Sequence, residues 1–473
     1  MKTKNRYVLC AAVLCLAFGW FLFMQKTQSE PLEGSIDGYM LAVRGEEPAL
    51  PCTAQTARQD AQALIEAVER IHPMFAPAEC VPEGFAESVP EGYEQARQRF
   101  LEDCSDFYGS WDEFLLASQR FLTVLSDQHT RNTEISLWLS EKGFLSLSME
   151  YADGKLWRLD DEGQRDGVVV SLGGVDTERV LAAVSSLLPA ENQNGREKNY
   201  ERYCGSVALL EMLGAEGKKV TVSGTAGGEQ TLLCTAGGLV SAGQTHADGS
   251  LAAYREGGAL VLRMGTCMIS LPQQQKELDD MLETLRAYLD EGGSQVVLDV
   301  RGNGGGSSAV WMPFWQEMGM DLRGYFVRSW SRPSPELDER AEYLDLYAGV
   351  DAQALEQGAA DAAGNGQPRC RVAVLCDGDT ASAAQDLCYA ARGWDNAVVV
   401  GTPPSNAPDS YTDIVLVCLP CSKQLVQIST KHIMPVDGTA RGDIFEPDIE
   451  TGAQQDALDA ALAWLRRPQS AHQ

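Results

Sequence analysis

The sequence predicts an α/β protein with a helical N-terminal domain and a small β-rich insert, and three observations lead there. From about Leu251 onward, short apolar runs alternate with amphipathic stretches, the pattern of strands and helices packed in layers. Between Ala57 and Val124 apolar residues recur at helical spacing. Between Glu134 and Gly243, valine-rich runs bounded by glycine replace that spacing. A chain of 473 residues exceeds one average core, so two or three domains are expected.

The elements follow in order. Lys2, Lys4 and Arg6 precede the apolar run YVLCAAVLCLAFGWFLFM, Tyr7 to Met24. As a helix this run spans about 27 Å, close to the hydrocarbon thickness of a bilayer. The basic flank favours a cytoplasmic N-terminus and an exported remainder. No small-x-small cleavage site stands out before Gln28, so residues 1–26 read as a membrane anchor in preference to a removed signal. Residues 27–56 are polar and irregular and read as a linker. Residues 57–133 form the helical domain: DAQALIEAVERI places Ala61, Leu64, Ile65, Val68 and Ile71 on one face, and WDEFLLASQRFLTVL does the same with Phe114, Leu115, Phe121, Leu122 and Leu125. Residues 134–245 hold GVVVSLGGV and KKVTVSG as strands around a helix, ERVLAAVSSLL. This insert fits two readings, a small PDZ-like peptide-binding module or a plain β-rich insertion. Residues 246–473 form the α/β core. ALVLRMG, SQVVLDV, RVAVLC, NAVVVG, DIVLVCL and KQLVQIS are strands; LPQQQKELDDMLETLRAYLDEG and DALDAALAWLRR are helices.

Composition narrows the function. The apolar fraction of 44% and nine tryptophans fit a packed protein. A net charge of −29 opposes binding to nucleic acid or to an anionic membrane surface. Of thirteen cysteines, two lie in the anchor run, and the others show no paired metal spacing; Cys418 and Cys421 form a lone CLPC. Five histidines bound the search for a catalytic base.

Two stretches carry possible chemistry. RGNGGG, Arg301 to Gly306, follows a buried strand. Consecutive glycines let backbone N–H groups converge on an anion, yet the same residues serve a tight strand-to-helix turn. It lacks a phosphate-binding lysine and GxGxxG spacing. CDGDTASAAQDL places Ser382 among alanines, after a strand and at the mouth of a helix. A helix cap explains such a serine, and so does an exposed nucleophile at an elbow, with the Ala383 N–H and a glycine N–H from Gly304 or Gly305 as oxyanion donors. The base is sought among His129 in SDQHT, His432 in STKHIMP, His72, His246 and His472; His72, before a proline at a helix end, reads as structural.

VVLDVRGNGGG, VAVLCDGDTASAAQDL and AVVVG, in this order, resemble the core of the carboxy-terminal processing (tail-specific) serine peptidase family. LTVLSDQHT and ERIHPMF resemble its tricorn-like branch, and GDIFEPDIE its closing segment. The matches span roughly residues 60 to 465. The resemblance implies a crotonase-like peptidase core. It also implies Ser382 as nucleophile, His129 as general base, Gly304, Gly305 and Ala383 at the oxyanion, a peptide or protein substrate, and no cofactor or metal. Three departures accompany it. The serine–lysine branch carries a lysine just past the VVVG strand, where this chain has TPPSNAPDS. Gln385 stands where the family has an acid. The glutamate of the tricorn-like triad falls by register on Arg441, which leaves Asp443, Glu446 or Asp437 as the orienting acid, with Asp443 preferred. The expected function is therefore a membrane-anchored, exported serine endopeptidase. The alternative, motivated by the missing lysine and acid, is a weak or inactive peptide-binding protein on the same scaffold.

Overall fold

The computed structural model describes residues 36–467 apart from 46, 86–87, 106–108, 225–227, 238–248, 321–326, 345–366, 436–441 and 453–454. The run Tyr7–Met24, His246, His472, Asp437, Arg441 and the boundary at 245/246 lie outside the described residues. Among the described residues no helix is long and apolar enough to cross a membrane.

The alternating pattern after Leu251 folds into a six-stranded sheet. Its strands run Leu251–Glu256, Ala259–Met264, Gln295–Asp299, Arg371–Cys376, Ala397–Gly401 and Ile449–Glu450 from one edge to the other. The first pair is a hairpin; the remaining pairings are parallel. Successive side chains point to opposite faces, and both faces are covered, which is why these strands read as continuous apolar runs. Leu262, Val296, Leu298 and Val374 face the helices Pro272–Asp290 and Ala383–Arg392. Val261, Val297, Ala373, Leu375 and Val400 face the helix Ala457–Leu465. Gln295–Asp299 and Arg371–Cys376 are parallel neighbours, so the RGNGGG turn and the Ser382 turn leave the sheet side by side at the same end.

The second sheet is antiparallel and crosses the expected domain boundary. Leu425–Pro435 pairs with Ser410–Cys418 on one side; on the other it pairs with Val327–Ser331 and with Arg131–Asn132. The helices Ala54–Ile71, Tyr93–Asp103 and Trp111–Thr123 pack their apolar faces on it: Leu64, Val68, Phe114 and Phe121 share one core with Tyr411, Val415, Val426 and Ile428. The helical region expected at 57–133 is thus not a domain apart. Its apolar stripes find partners in the C-terminal third of the chain and, through Leu115 and Leu116, in the insert.

The insert is a six-stranded antiparallel sheet in the order Met149–Ala152, Lys155–Leu159, Arg165–Leu172, Lys219–Gly224, Glu229–Leu233, with the short strand Val175–Asp176 also paired to Arg165–Leu172. Its core also takes in the helices Thr177–Leu187, Gln193–Tyr203 and Val207–Met212 through Val180, Val184, Tyr200 and Leu209. The helix Gln193–Tyr203 has almost no apolar stripe, so hydrophobic periodicity does not announce it. The linker reading of residues 27–56 is corrected for Ile36–Arg44, which is helical and packs Tyr39 against Leu416.

Candidate active site

The nucleophile turn begins with the strand Arg371–Cys376 and closes through hydrogen bonds within DGDT. Asp377 Oδ1 accepts the N–H groups of Gly302, Asp379 and Thr380, and the Thr380 hydroxyl donates to the Val300 carbonyl. One carboxylate therefore ties the Ser382 turn to the glycine turn. Asn303, fully buried, does the same from the other side. Its carbonyl accepts the Ala381 N–H at 3.0 Å and its side chain donates to the Met264 carbonyl at 2.8 Å. Arg301 is occupied structurally, gripping Asp299 with two N–H groups at 2.9 and 2.8 Å.

Ser382 has φ 50° and ψ −128°. Such a conformation is strained for a residue with a Cβ and costs about 1–3 kcal/mol. It is held by its own N–H, which donates to Asn406 Oδ1 at 2.8 Å. The side chain forms no capping hydrogen bond to the helix it precedes. Of the two sequence readings of Ser382, the geometry favours the elbow over the cap. Gly305, at φ +98°, explains its own identity: a Cβ there would lie 2.6 Å from Ser382 Cβ and 2.8 Å from the Ala381 carbonyl.

The oxyanion donors expected from the sequence differ in availability. Ala383 is the first helical residue, and its N–H has no acceptor within the helix. Gly304 is exposed, with open space where a side chain would be. The Gly305 N–H is already donated to Asn303 Oδ1 at 2.9 Å, so its role is close packing and the donor reading is corrected.

His129 lies in the turn between the helix Trp111–Thr123 and the strand Arg131–Asn132, and its side chain is 18% exposed. Burial holds its imidazole below the usual value against the opposing pull of Asp127, so the ring is neutral at neutral pH. Nδ1 is enclosed, forms no hydrogen bond, and stands 3.9 Å from both Asp127 Oδ1 and Glu191 Oε1. Asp127 is fully buried. Burial alone would raise its pKa, but the hydrogen bond and charge of His72, the charge of His129 and the Thr130 hydroxyl outweigh that and hold it well below the carboxylate range. His72 Nδ1 accepts the Met74 N–H, leaving Nε2 to donate to Asp127 Oδ2 at 3.2 Å; Ser429 Oγ donates to the same oxygen at 2.7 Å. His72 is structural, as read, and its task is to hold this acid. Glu191 is pushed up to about 8 by burial first and by the nearby Asp127 charge second.

Glu191 connects the two halves. Its Oε2 accepts Asn406 Nδ2 at 3.1 Å and the Ala407 N–H at 3.0 Å, while Oε1 accepts the Gln128 N–H at 3.3 Å. Asn406, which positions Ser382, thus also grips the acid beside His129. The stretch TPPSNAPDS lacks the lysine of the serine–lysine branch, and Asn406 within it joins Ser382 to Glu191. The insert contributes more than Glu191. Asn194 Nδ2 donates to the Pro403 and Pro404 carbonyls, and Arg202 pairs with Asp379 of the nucleophile turn.

Asp443, the acid preferred from the sequence, is exposed, and its carbonyl accepts Asn192 Nδ2 at 3.0 Å. The carboxylates that stand 3.9 Å from His129 Nδ1 are Asp127 and Glu191. His432, the competing base, is buried and bonded through Nε2 to Asp409 Oδ1 at 2.8 Å. Sequence reasoning passed over Asp127 although it stands two residues from His129 in the quoted SDQHT. Glu191 left no signal: it sits in a polar loop more than sixty residues away. Asp127, His129 and Glu191 also offer one donor atom each within 4.8 Å of one another, a set that can hold a metal ion.

Residues 265–451 match the model of Peptidase family S41. No curated protein matches the chain. Among solved structures, mature CPAF complexed with lactacystin is similar at TM-score 0.53 and 13% identity, covering 87% of this chain and 97% of that one. Mature CPAF alone gives 0.51 and 13%, over 84% and 92%. The photosystem II D1 C-terminal processing protease gives 0.42 and 15%, over 87% and 97%. The resemblance to tail-specific serine peptidases holds for residues 265–451, the segment bearing the glycine turn and Ser382.

Proposed function

We propose that the protein is a serine endopeptidase in which Ser382 is the nucleophile, His129 the general base and Asp127 the anion that orients the base, with Glu191 and Asn406 holding the two halves in register. The observation that carries this is the Ser382–Asn406–Glu191 chain, which ends beside His129 Nδ1. An extended peptide lies along the glycine turn. As Ser382 Oγ attacks the scissile carbonyl, neutral His129 takes its proton. The Ala383 and Gly304 N–H groups stabilise the oxyanion. The protonated imidazole then gives its proton to the leaving amine, and water attacks the acyl-enzyme with His129 again as base. Asp127 suits the orienting role because it stays ionised, and an anion stabilises the imidazolium. The 3.9 Å spacing to Nδ1 is longer than a hydrogen bond, as apo catalytic contacts often are before substrate tightens them.

The same reading places the core on a crotonase-like scaffold, outside the cytoplasm, with Tyr7–Met24 as the anchor. The β-rich insert is read as the wall of the cleft, and its PDZ-like character belongs to this proposal. A fluorophosphonate probe tests the function: labelling that disappears in Ser382→Ala supports it. Folded wild-type protein that binds peptides yet resists the probe points to the inactive alternative.

A further inference from the structure

The gap between His129 Nδ1, Asp127 Oδ1 and Glu191 Oε1 has a geometry the peptidase reaction does not fully use. Nδ1 is buried and makes no hydrogen bond, while two carboxylate oxygens stand at the same 3.9 Å from it on separate segments of the chain. All three atoms lie within 4.8 Å of one another. Tetrahedral zinc, with bonds of about 2.0–2.2 Å, holds its ligand atoms about 3.3–3.6 Å apart, so the two 3.9 Å spacings close with a contraction of a few tenths of an ångström, and the two carboxylate oxygens, within 4.8 Å of each other, draw in by at most about 1.5 Å. Each ligand is already aimed. Asp127 is fixed by His72, Ser429 and the His129 N–H; Glu191 is fixed by Asn406 and the Gln128 and Ala407 N–H groups. Metal sites depend on such outer partners to orient their ligands. One imidazole nitrogen with two carboxylates suits zinc better than magnesium or calcium, which take oxygen ligands.

We propose that Asp127, His129 and Glu191 bind a single Zn²⁺, with water as the fourth ligand, and that the ion switches the peptidase off. The switch follows from the tautomer. A metal on Nδ1 leaves the ring proton on Nε2, and an Nε2–H imidazole has no lone pair with which to take the Ser382 proton. The binding half stands on the geometry alone; the switching half rests on the proposed peptidase function.

The test uses the full chain with Ser382→Ala, so that no self-cleavage intervenes, and titrates it with Zn²⁺ against a chromophoric chelator. Thirteen cysteines provide a zinc background, so the reading is a difference. One tight equivalent is expected that disappears in His129→Gln and weakens at least tenfold in Glu191→Gln, with Mg²⁺ and Ca²⁺ failing to compete. A stoichiometry and affinity unchanged in both variants overturns the site; two variants on different segments guard against one that fails to fold. In wild type, Zn²⁺ should slow fluorophosphonate labelling at least tenfold, reversed by chelator. Labelling that proceeds at full rate with zinc bound overturns the switch while the peptidase stands. Zinc bound at the site without any labelling in its absence leaves the metal site and removes the peptidase.

Discussion

The Ser382 turn and the His129 turn are linked through Asn406 and Glu191, yet they are built from different kinds of sequence. Apart from Asn406 and the insert's Arg202, what shapes Ser382 comes from two neighbouring parallel strands and the short turns that follow them. His129 depends on four separated segments: its own turn, His72, Glu191 from the insert, and Ser429 on the second sheet. The first is a local motif on a rigid sheet. The second is an electrostatic arrangement assembled by tertiary packing. Nucleophile geometry should therefore survive changes on the far side of the cleft, whereas the state of the base should respond to residues distant in sequence.

The strongest way to break this comparison is to remove each half. Ser382→Ala should lower kcat/KM on a peptide substrate by about 10⁴-fold or more, and His129→Ala by a similar factor. The double variant should be scarcely worse than either, because the two act as one unit; additive losses in steady-state kinetics would separate them. Next comes Gly305→Ala, where a methyl group has no room beside Ser382. A roughly 100-fold loss of labelling rate is expected with the helical circular-dichroism signal retained, since one ångström of misplacement costs about that much. Asn406→Ala should then lower kcat about 10- to 100-fold with a smaller change in KM, the mark of a residue that positions others.

Glu191 sharpens the comparison through pH. Its folded-state value of about 8 lies above that of an unfolded glutamate. Between about pH 4.5 and 8 the folded protein therefore keeps a proton the unfolded chain has lost, and stability falls as pH rises through that window. Glu191→Gln mimics the protonated form and should flatten this dependence, an effect on the order of a few kcal/mol by urea unfolding at pH 5 and pH 8. With His129 held below its usual value, the rise of activity with pH should be centred below about 6.5. The smallest effect is expected at Asp443: Asp443→Asn should change kcat/KM less than about twofold, and a large loss would restore it as the orienting acid.

The legible parts of the fold were those with a period. Strands such as Gln295–Asp299 and Arg371–Cys376 and helices such as Pro272–Asp290 fall where apolar spacing places them. The helix Gln193–Tyr203 was not legible, because polar contacts to the core, not an apolar stripe, define it. Nor was the union of the N-terminal helices with the second sheet, which pairs Arg131–Asn132 with Val426 and Gln427 across most of the chain.

By itself the sequence determined the α/β core, the resemblance of residues 265–451 to a peptidase family and the two short motifs that carry Ser382 and His129, because each depends on residues close together in the chain. Tertiary structure decided which acid faces the imidazole, which glycine N–H remains available and what Asn406 does. Those outcomes depend on burial and on charges brought together from distant segments, quantities that exist only once the chain has folded.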